Sequence, residues 1–540
     1  MKRSVHDPPF ASEDLSIGAG AARDTMTVAA WTMISRVTGL ARVIVIGAVL
    51  GPTYFGNSYQ LTNTLPNLVF YGFLAGSLLS SLLVPALVRH IDAGDGDETG
   101  RVAGGFLGVE WSILLVVAPL AILAVPLFLP NGEWALVLAV LAIPQVFCYA
   151  MVASATAVMY ARRRYLLAAA APALENLGVI AVLVLAGFLF GDPANGSVPV
   201  AAVLLIGGGS TIAVVMHAGV QWWGARRCGV TLVPRAGWRD PDVRQVVRRA
   251  VSSMAQAGLL AAQTLLLLAM AGQVAGGTVA MQMSLSFFHL PLAIAAAPVG
   301  LALLPRLSRM TGEGEARDFA DAYQRAVGLA LFLVVPAALG YVVLAIPLAN
   351  VVAVGDMSTA AGVAMVAGSL SALALGLVGE TLFVISTQAA YARSDARSPL
   401  RSMMLQAVVC VALVVPAGFV DGPALIAALG GAFAVASVVG GLHLSFRVRR
   451  GLAPATNRLW PSVVRTAYAS IAMAAVAGSV AAVAMAMLEG TSGWLTASAA
   501  GTLAGVAVYL GVHRSLGSVE LTWLLDGARG RPAVPESSPA

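Results

Sequence analysis

Charge is what this 540-residue chain has least of. Only 11% of its residues are charged, against about 25% in soluble domains, and its mean hydropathy is +0.84. That excludes a soluble globular protein and leaves an integral membrane protein. Lysine is almost missing: Lys2 is the one lysine among 32 basic residues. The three cysteines, Cys148, Cys228 and Cys410, stand far apart without ligand or redox spacing, so they read as packing residues. No HExxH, P-loop, paired-carboxylate or Ser-His-Asp pattern occurs, and the polar loops are too short for a catalytic domain. An enzyme, a metal site and a bound cofactor are therefore not expected. Residues 1–24 lack an apolar core followed by a small-residue cleavage site, so no cleavable signal peptide is expected.

What the chain does have is long apolar runs. A membrane-spanning helix needs about 20 such residues. Fourteen runs qualify: 25–50, 57–88, 102–128, 134–160, 166–190, 198–223, 247–272, 277–305, 324–350, 358–390, 400–420, 422–446, 463–488 and 493–512. They are too long for β-barrel strands and do not alternate. The fold class is an all-α polytopic membrane protein. Its basic residues fall in the N-terminal segment, the even-numbered loops and the C-terminal tail, and every odd-numbered loop has none. The positive-inside rule makes the arginine-rich side cytoplasmic, with both termini there. This topology accounts for the basic pI better than nucleic-acid binding does. All but two basic residues are used this way; the exceptions are Arg36 and Arg42, inside the first span.

The chain repeats itself. Span 2 ends Leu83-Val-Pro85-Ala-Leu87-Val-Arg89, and span 8 ends Leu303-Leu-Pro305-Arg-Leu307-Ser-Arg309. Leu65-Pro66 matches Leu290-Pro291, and Tyr160-Ala161-Arg162 matches Tyr391-Ala392-Arg393. These matches give two six-helix lobes of the same orientation, an architecture that places a transport site between them. The expected organisation is an N-terminal tail (1–24), an N-lobe (25–225), a basic linker (226–246), a C-lobe (247–446), an appended helix pair (447–515) and a disordered cytoplasmic tail (516–540).

Few polar residues lie within the spans. At 1.5 Å per residue, Arg36 is about 16 Å and Arg42 about 25 Å into span 1, and six residues place them about 120° apart around the helix. One reading pairs an arginine with a buried carboxylate such as Glu175. The other, favoured for Arg42 and level with the first for Arg36 because intramembrane charge is functional by default, is a water-filled anion-binding cavity. Asn57, Gln60, Asn63 and Asn67 either join helices or line that cavity. Pro66 and Pro291 break matching helices and, with Gly39, are the expected hinges. Glu110 and Glu175 are expected near helix ends, facing water. Glu380 is mid-span and is the candidate coupling carboxylate.

Ser35-Arg36-x-x-Gly39-x-x-Arg42, then Gly51, Leu65-Pro66-Asn67-Leu68, Gly76 and Val84-Pro85 resemble the N-terminal signature of the MviN/MurJ family, the lipid II flippases of peptidoglycan synthesis. The resemblance implies alternating access around a cationic cavity that takes the pyrophosphate-sugar head of a lipid-linked glycan. Arg36 and Arg42 fall on cavity-lining family arginines, and Asn57, Asn63 and Asn67 join them as expected substrate-binding residues. It also implies coupling to a proton, sodium or the membrane potential, a bacterial plasma-membrane location, and cell-wall synthesis proteins as partners. The chain departs from the family where a carboxylate is replaced by Asn57, an arginine by Phe70, a glutamate by Ala75 and a second arginine by Ser286. The alternatives are a flippase for another lipid-linked glycan, a multidrug-type cation antiporter, and a non-transporting paralogue in envelope assembly.

Overall fold

Backbone amides in hydrocarbon must find partners within their own segment, so apolar runs of this length become helices. The computed structural model describes residues 11–70, 83–128, 134–191, 198–296, 298–300, 303, 307–308, 310, 315–453 and 459–528. Ala75, Gly76 and Pro305 lie outside them. The helices are α1 (Ala11–Leu50), α2 (Tyr54–Asn67), α3 (Val84–Asp92), α4 (Gly96–Phe128), α5 (Ala135–Ala161), α6 (Tyr165–Phe190), α7 (Val200–Arg227), α8 (Pro241–Ala271) and α9 (Gly277–Pro291). They continue as α10 (Ala316–Val343), α11 (Ala345–Val352), α12 (Ala360–Ala374), α13 (Leu377–Ala392), α14 (Arg397–Ala417), α15 (Pro423–Arg450), α16 (Leu459–Met487), α17 (Gly490–Ser515) and α18 (Val519–Ala528).

Among the described residues, 12 helices are long and apolar enough to cross a membrane, and α12 with α13 forms one further span bent by 44°. The remaining expected span, 57–88, runs partly outside the described residues. The fold is all-α and polytopic, with roughly fourteen spans. α1, α2, α5, α6 and α7 pack together as one lobe, and α9, α10, α12, α13, α14 and α15 as the other. α16 and α17 pack on each other and against α10 and α11.

Three boundaries differ from expectation. α1 begins at Ala11, inside the expected N-terminal tail. α8 begins at Pro241 rather than at 247, because Asp240 caps it by accepting the Asp242 and Val243 amides. The expected disordered tail contains α18, held where Ser462 donates to the buried Glu520 carboxylate and Arg465 lies 3.6 Å from it. The linker is also not loose. The Arg235 amide donates to the Gly104 carbonyl at 2.9 Å, and a Cβ on Gly108 would lie 1.9 Å from the Arg235 carbonyl oxygen. Arg101 joins Glu98 of α4 to Asp240 at the far end of the same segment.

The repeat seen in sequence is a repeat in backbone. Arg163 (φ 57°) and Ser394 (φ 59°) are the two described non-glycine residues with positive φ. Each ends the helix begun by its lobe's fourth span, two residues beyond Ala161 or Ala392. The same bonds close both turns: Arg163 to Tyr160 and Arg164 to Met159, Ser394 to Tyr391 and Asp395 to Ala390. This is a Schellman termination. Pro66 and Pro291 likewise match, each followed by π-helical turns, at 68–70 and Leu292–Ala296. A proline removes one ladder bond, and the helix widens to absorb it.

After the second Schellman turn, Asp395 accepts the Arg397 amide at 3.1 Å and the Ser398 amide at 3.0 Å, capping α14. Burial pushes its carboxyl up, but the bonds from Ser398 and Arg397 and the Arg447 charge outweigh that and hold it below its ordinary value. The cap's contribution is therefore present above the usual carboxylate range and lost as pH falls through the lowered value. Asp395→Ala should cost about 1 kcal/mol at neutral pH. Thermal unfolding in detergent should separate the two proteins at neutral pH, and the gap should close as pH falls through the lowered value; a gap that persists in strong acid contradicts this account.

Candidate transport site between the lobes

Ser35, Thr38, Gly39 and Arg42 form one stripe of α1 at helical spacing, and that stripe faces α6. The Asn176 amide of α6 donates to the Ser35 carbonyl and the Thr38 hydroxyl, each at 3.2 Å. A Cβ on Gly39 would stand 3.5 Å from that amide nitrogen, so the glycine sits where α1 meets α6. Further along the stripe, Arg42 Nη1 lies 3.4 Å from Glu175 Oε1.

Glu175 is the centre of this region. Tyr149 of α5 donates its hydroxyl to Oε1 at 2.8 Å, and His217 of α7 places Nδ1 2.7 Å from Oε2. Gln221 places its amide nitrogen 3.5 Å from the other ring nitrogen. Three helices thus supply donors to one carboxylate buried in the membrane. The expectation that Glu175 faces water is corrected: it is mid-helix and 7% exposed, and a buried carboxylate needs partners. Glu110 is corrected too, since it is buried within α4.

Arg36 is different. It lies off the α6-facing stripe and is exposed, next to exposed Met33, Ile34 and Val37. It forms no ion pair with a described residue. Its charge reaches His289, an exposed residue on α9 of the opposite lobe. Arg42 and Glu175 cancel each other. Among the described residues, Arg36 is the arginine within a span that faces the opposite lobe without an ion pair.

The structure does not gather all the expected site residues here. Asn63 is half-buried and Asn67 exposed on α2. Glu380 is buried inside the second lobe, beside Gln406 of α14 and Ser437 of α15, so it does not share the inter-lobe gap. Asn57 is elsewhere again. It is buried and donates to the Gly272 and Val274 carbonyls at 3.3 and 2.7 Å, while its own oxygen accepts the Thr278 amide at 3.0 Å. These partners form the turn between α8 and α9. Asn57, expected to bind substrate, instead ties the lobes together, because its amide is taken up by backbone groups.

Other contacts close the same end. The Gly276 amide donates to the Thr53 carbonyl at 3.2 Å. Gly276 has φ +75° and lies so close to Pro52 that a Cβ would be 2.3 Å from its Cα. Gly355, with φ +59°, would place a Cβ 2.5 Å from the Ala48 carbonyl oxygen. The end of α1 and the start of α2 are therefore seated on two turns of the opposite lobe, at the arginine-poor face.

Residues 46–501 match the family described as Lipid II flippase MurJ. The chain belongs to the MurJ family. A probable lipid II flippase MurJ from Rhizobium tropici is 25% identical over 403 residues, covering 72% of this chain and 74% of its own length. The Lipid II flippase MurJ of Burkholderia cenocepacia is 26% identical over 400 residues, covering 70% and 75%. A solved structure of Lipid II flippase MurJ in an inward closed conformation superposes with a TM-score of 0.69 at 17% identity, covering 91% of this chain and 99% of that one. An inward-facing multidrug resistance MATE family transporter superposes at 0.60 with 16% identity, covering 79% and 98%. The fold is thus that of MurJ and MATE transporters.

In this MurJ-family chain the closed end rests on an amide. Asn57→Asp keeps the shape, removes both donors and sets a carboxylate against two carbonyl oxygens. Each lost buried bond is worth about 1 kcal/mol or more, so losing two should lower the closed-to-open ratio by about thirtyfold or more. A cysteine at Ala280, buried on α9, in a background without the native cysteines, reads this out. It should resist an impermeant maleimide added from outside and react in the Asn57→Asp background. Equal labelling of both removes Asn57 as the latch.

Proposed function

We propose that the chain flips lipid II from the cytoplasmic to the outer leaflet of the bacterial plasma membrane by alternating access. The observation that carries the reading is Arg36: an exposed guanidinium, inside a span, in the gap between two lobes, without a carboxylate among the described residues. A pyrophosphate crossing a low-dielectric region needs matched positive charge, and the guanidinium fork suits phosphate oxygens. The arginine distribution supports placing both termini in the cytoplasm. With that orientation the lobes are joined at the outer end, the arrangement of a state that receives substrate from inside. The multidrug-type alternative draws on the same fold, but a cation substrate is poorly served by an uncompensated arginine.

Arg42 has a second task in this reading. While it neutralises Glu175 it is held in the lobe, and a pyrophosphate beside Arg36 competes with Glu175 for it. Asn63 and Asn67 add hydrogen bonds from α2. Glu380 stands as the carboxylate through which a proton, sodium or the membrane potential acts. Membrane lipids and cell-wall synthesis proteins complete the proposed partners.

Complementation of a flippase-depleted strain tests the reading. The native chain should restore growth, and Arg36→Ala should fail at unchanged protein level. Arg42→Gln alone should lower the protein level, because it takes one of three partners from a buried carboxylate, at a cost of up to about 3 kcal/mol. Arg42→Gln with Glu175→Gln should recover the level without recovering growth. Full rescue by Arg36→Ala with Arg42→Ala would overturn the proposal.

A further inference from the structure

A second basic site lies away from the inter-lobe gap, at the arginine-rich end of the first lobe. The Schellman turn after α5, the start of α6, the end of α7 and Thr27 of α1 line an open cavity of about 420 Å³. Arg163, Arg164 and Arg227 line it, together with apolar Met159, Leu166 and Leu167. All three arginines are exposed and none forms an ion pair with a described residue. The Arg227 guanidinium lies 4.0 Å over the ring of Trp223, which orients it. Cys228 also lines the cavity. Burial raises its thiol, and the Arg164 and Arg162 charges act against that.

Topology alone requires arginines on this side, but it does not require them around one cavity. The repeat supplies the contrast. In the second lobe the equivalent turn is satisfied internally: Asp395 caps the next helix, Arg447 donates to Ser398 at 3.2 Å, and Arg393 lies against Gly451. In the first lobe Arg164 stands where Asp395 stands, and no side chain caps α6. The position filled by a carboxylate in one lobe is ringed by cations in the other.

We propose that this cavity binds a phosphate group, delivered as the headgroup of an anionic phospholipid from the adjacent leaflet. The apolar wall favours the lipid source. Leu166 and Trp223 are exposed beside it, and tryptophan marks the depth at which headgroups meet acyl chains. Basic pockets between helices at this level take anionic headgroups. Helix α1 carries Thr27 at this cavity and Arg36 nine residues on, so lipid occupancy bears on the helix that presents the transport arginine.

Native mass spectrometry of the purified full-length protein tests this. The wild type should retain phosphatidylglycerol in preference to phosphatidylcholine. Arg163→Gln, Arg164→Gln and Arg227→Gln together should weaken that retention on the order of a hundredfold. Arg397→Gln, Arg449→Gln and Arg450→Gln, on the same face but outside the cavity, should not. Equal loss in both triple variants overturns the site in favour of general surface attraction. A second measurement needs no arginine variant: alkylation of Cys228 by N-ethylmaleimide, normalised to a cysteine at exposed Ser515. Slowing in phosphatidylglycerol vesicles relative to phosphatidylcholine vesicles supports the lipid source. Slowing only when inorganic phosphate is added to phosphatidylcholine vesicles keeps the phosphate site and overturns the lipid source. The same rate in all three overturns the site.

Discussion

A charged side chain within hydrocarbon needs a partner or water, and the first lobe is arranged around that constraint. Glu175 is the pivot. Arg42 approaches it from α1, Tyr149 from α5 and His217 from α7, so one carboxylate fixes the relative positions of four helices. Asn176, the next residue, ties the same turn of α6 to the α1 backbone. With Arg42 neutralised inside the lobe, α1 can present Arg36 on its other side as a lone cation. The 120° that separates the two arginines is therefore a division of labour, one inward to the lobe and one outward to the gap.

The second constraint is mechanical. Each lobe holds one helix broken by a proline and widened by a π-turn, at Pro66 and Pro291. Both broken helices begin at the closed end, where Asn57 and Thr278 meet. A widened turn has a weaker hydrogen-bond ladder than a regular helix, so each lobe carries its weakest described helical turn directly after its matching proline, away from the latched end. The glycines at the closed end remove the side chains that would hold the lobes apart. At Gly276 and Gly355 the opposing backbone occupies the place of a Cβ.

Much of this was legible in the sequence because it follows from solvent. Hydrocarbon demands long helices, the membrane sorts arginines by side, and a duplicated lobe repeats its punctuation. Tyr160-Ala-Arg and Tyr391-Ala-Arg even share the left-handed residue that follows. The Arg42–Glu175 pair was one of two readings open from sequence. What could not be read is distance across the chain. Tyr149 carries no local signal that it reaches Glu175, 26 residues on. Asn57 looked like one of a row of amides, and only its partners 215 to 221 residues away show it to be a latch. Glu110 and Glu175 looked peripheral because span limits drawn from hydropathy do not show which face is buried.

The departures from the family pattern also acquire a physical sense together. A carboxylate at position 57 could accept the Thr278 amide but could not donate to the Gly272 and Val274 carbonyls; Asn57 does both. Where the resemblance places an arginine, Phe70 is buried and stacks on Tyr149, with ring centroids 6.3 Å apart and planes inclined by 21°. Tyr149 in turn donates to Glu175. Phe70 thus packs against the hydroxyl donor that helps hold the carboxylate facing Arg42. An arginine in that position would bring a second cation toward Glu175 and compete with Arg42 for it. With a phenyl ring there, Arg42 is the one arginine among the described residues that reaches Glu175, and the charge left for the gap is concentrated on Arg36. At positions 57 and 70 the lost charges are therefore replaced by amide bonds and ring packing that preserve the arrangement of the two remaining arginines.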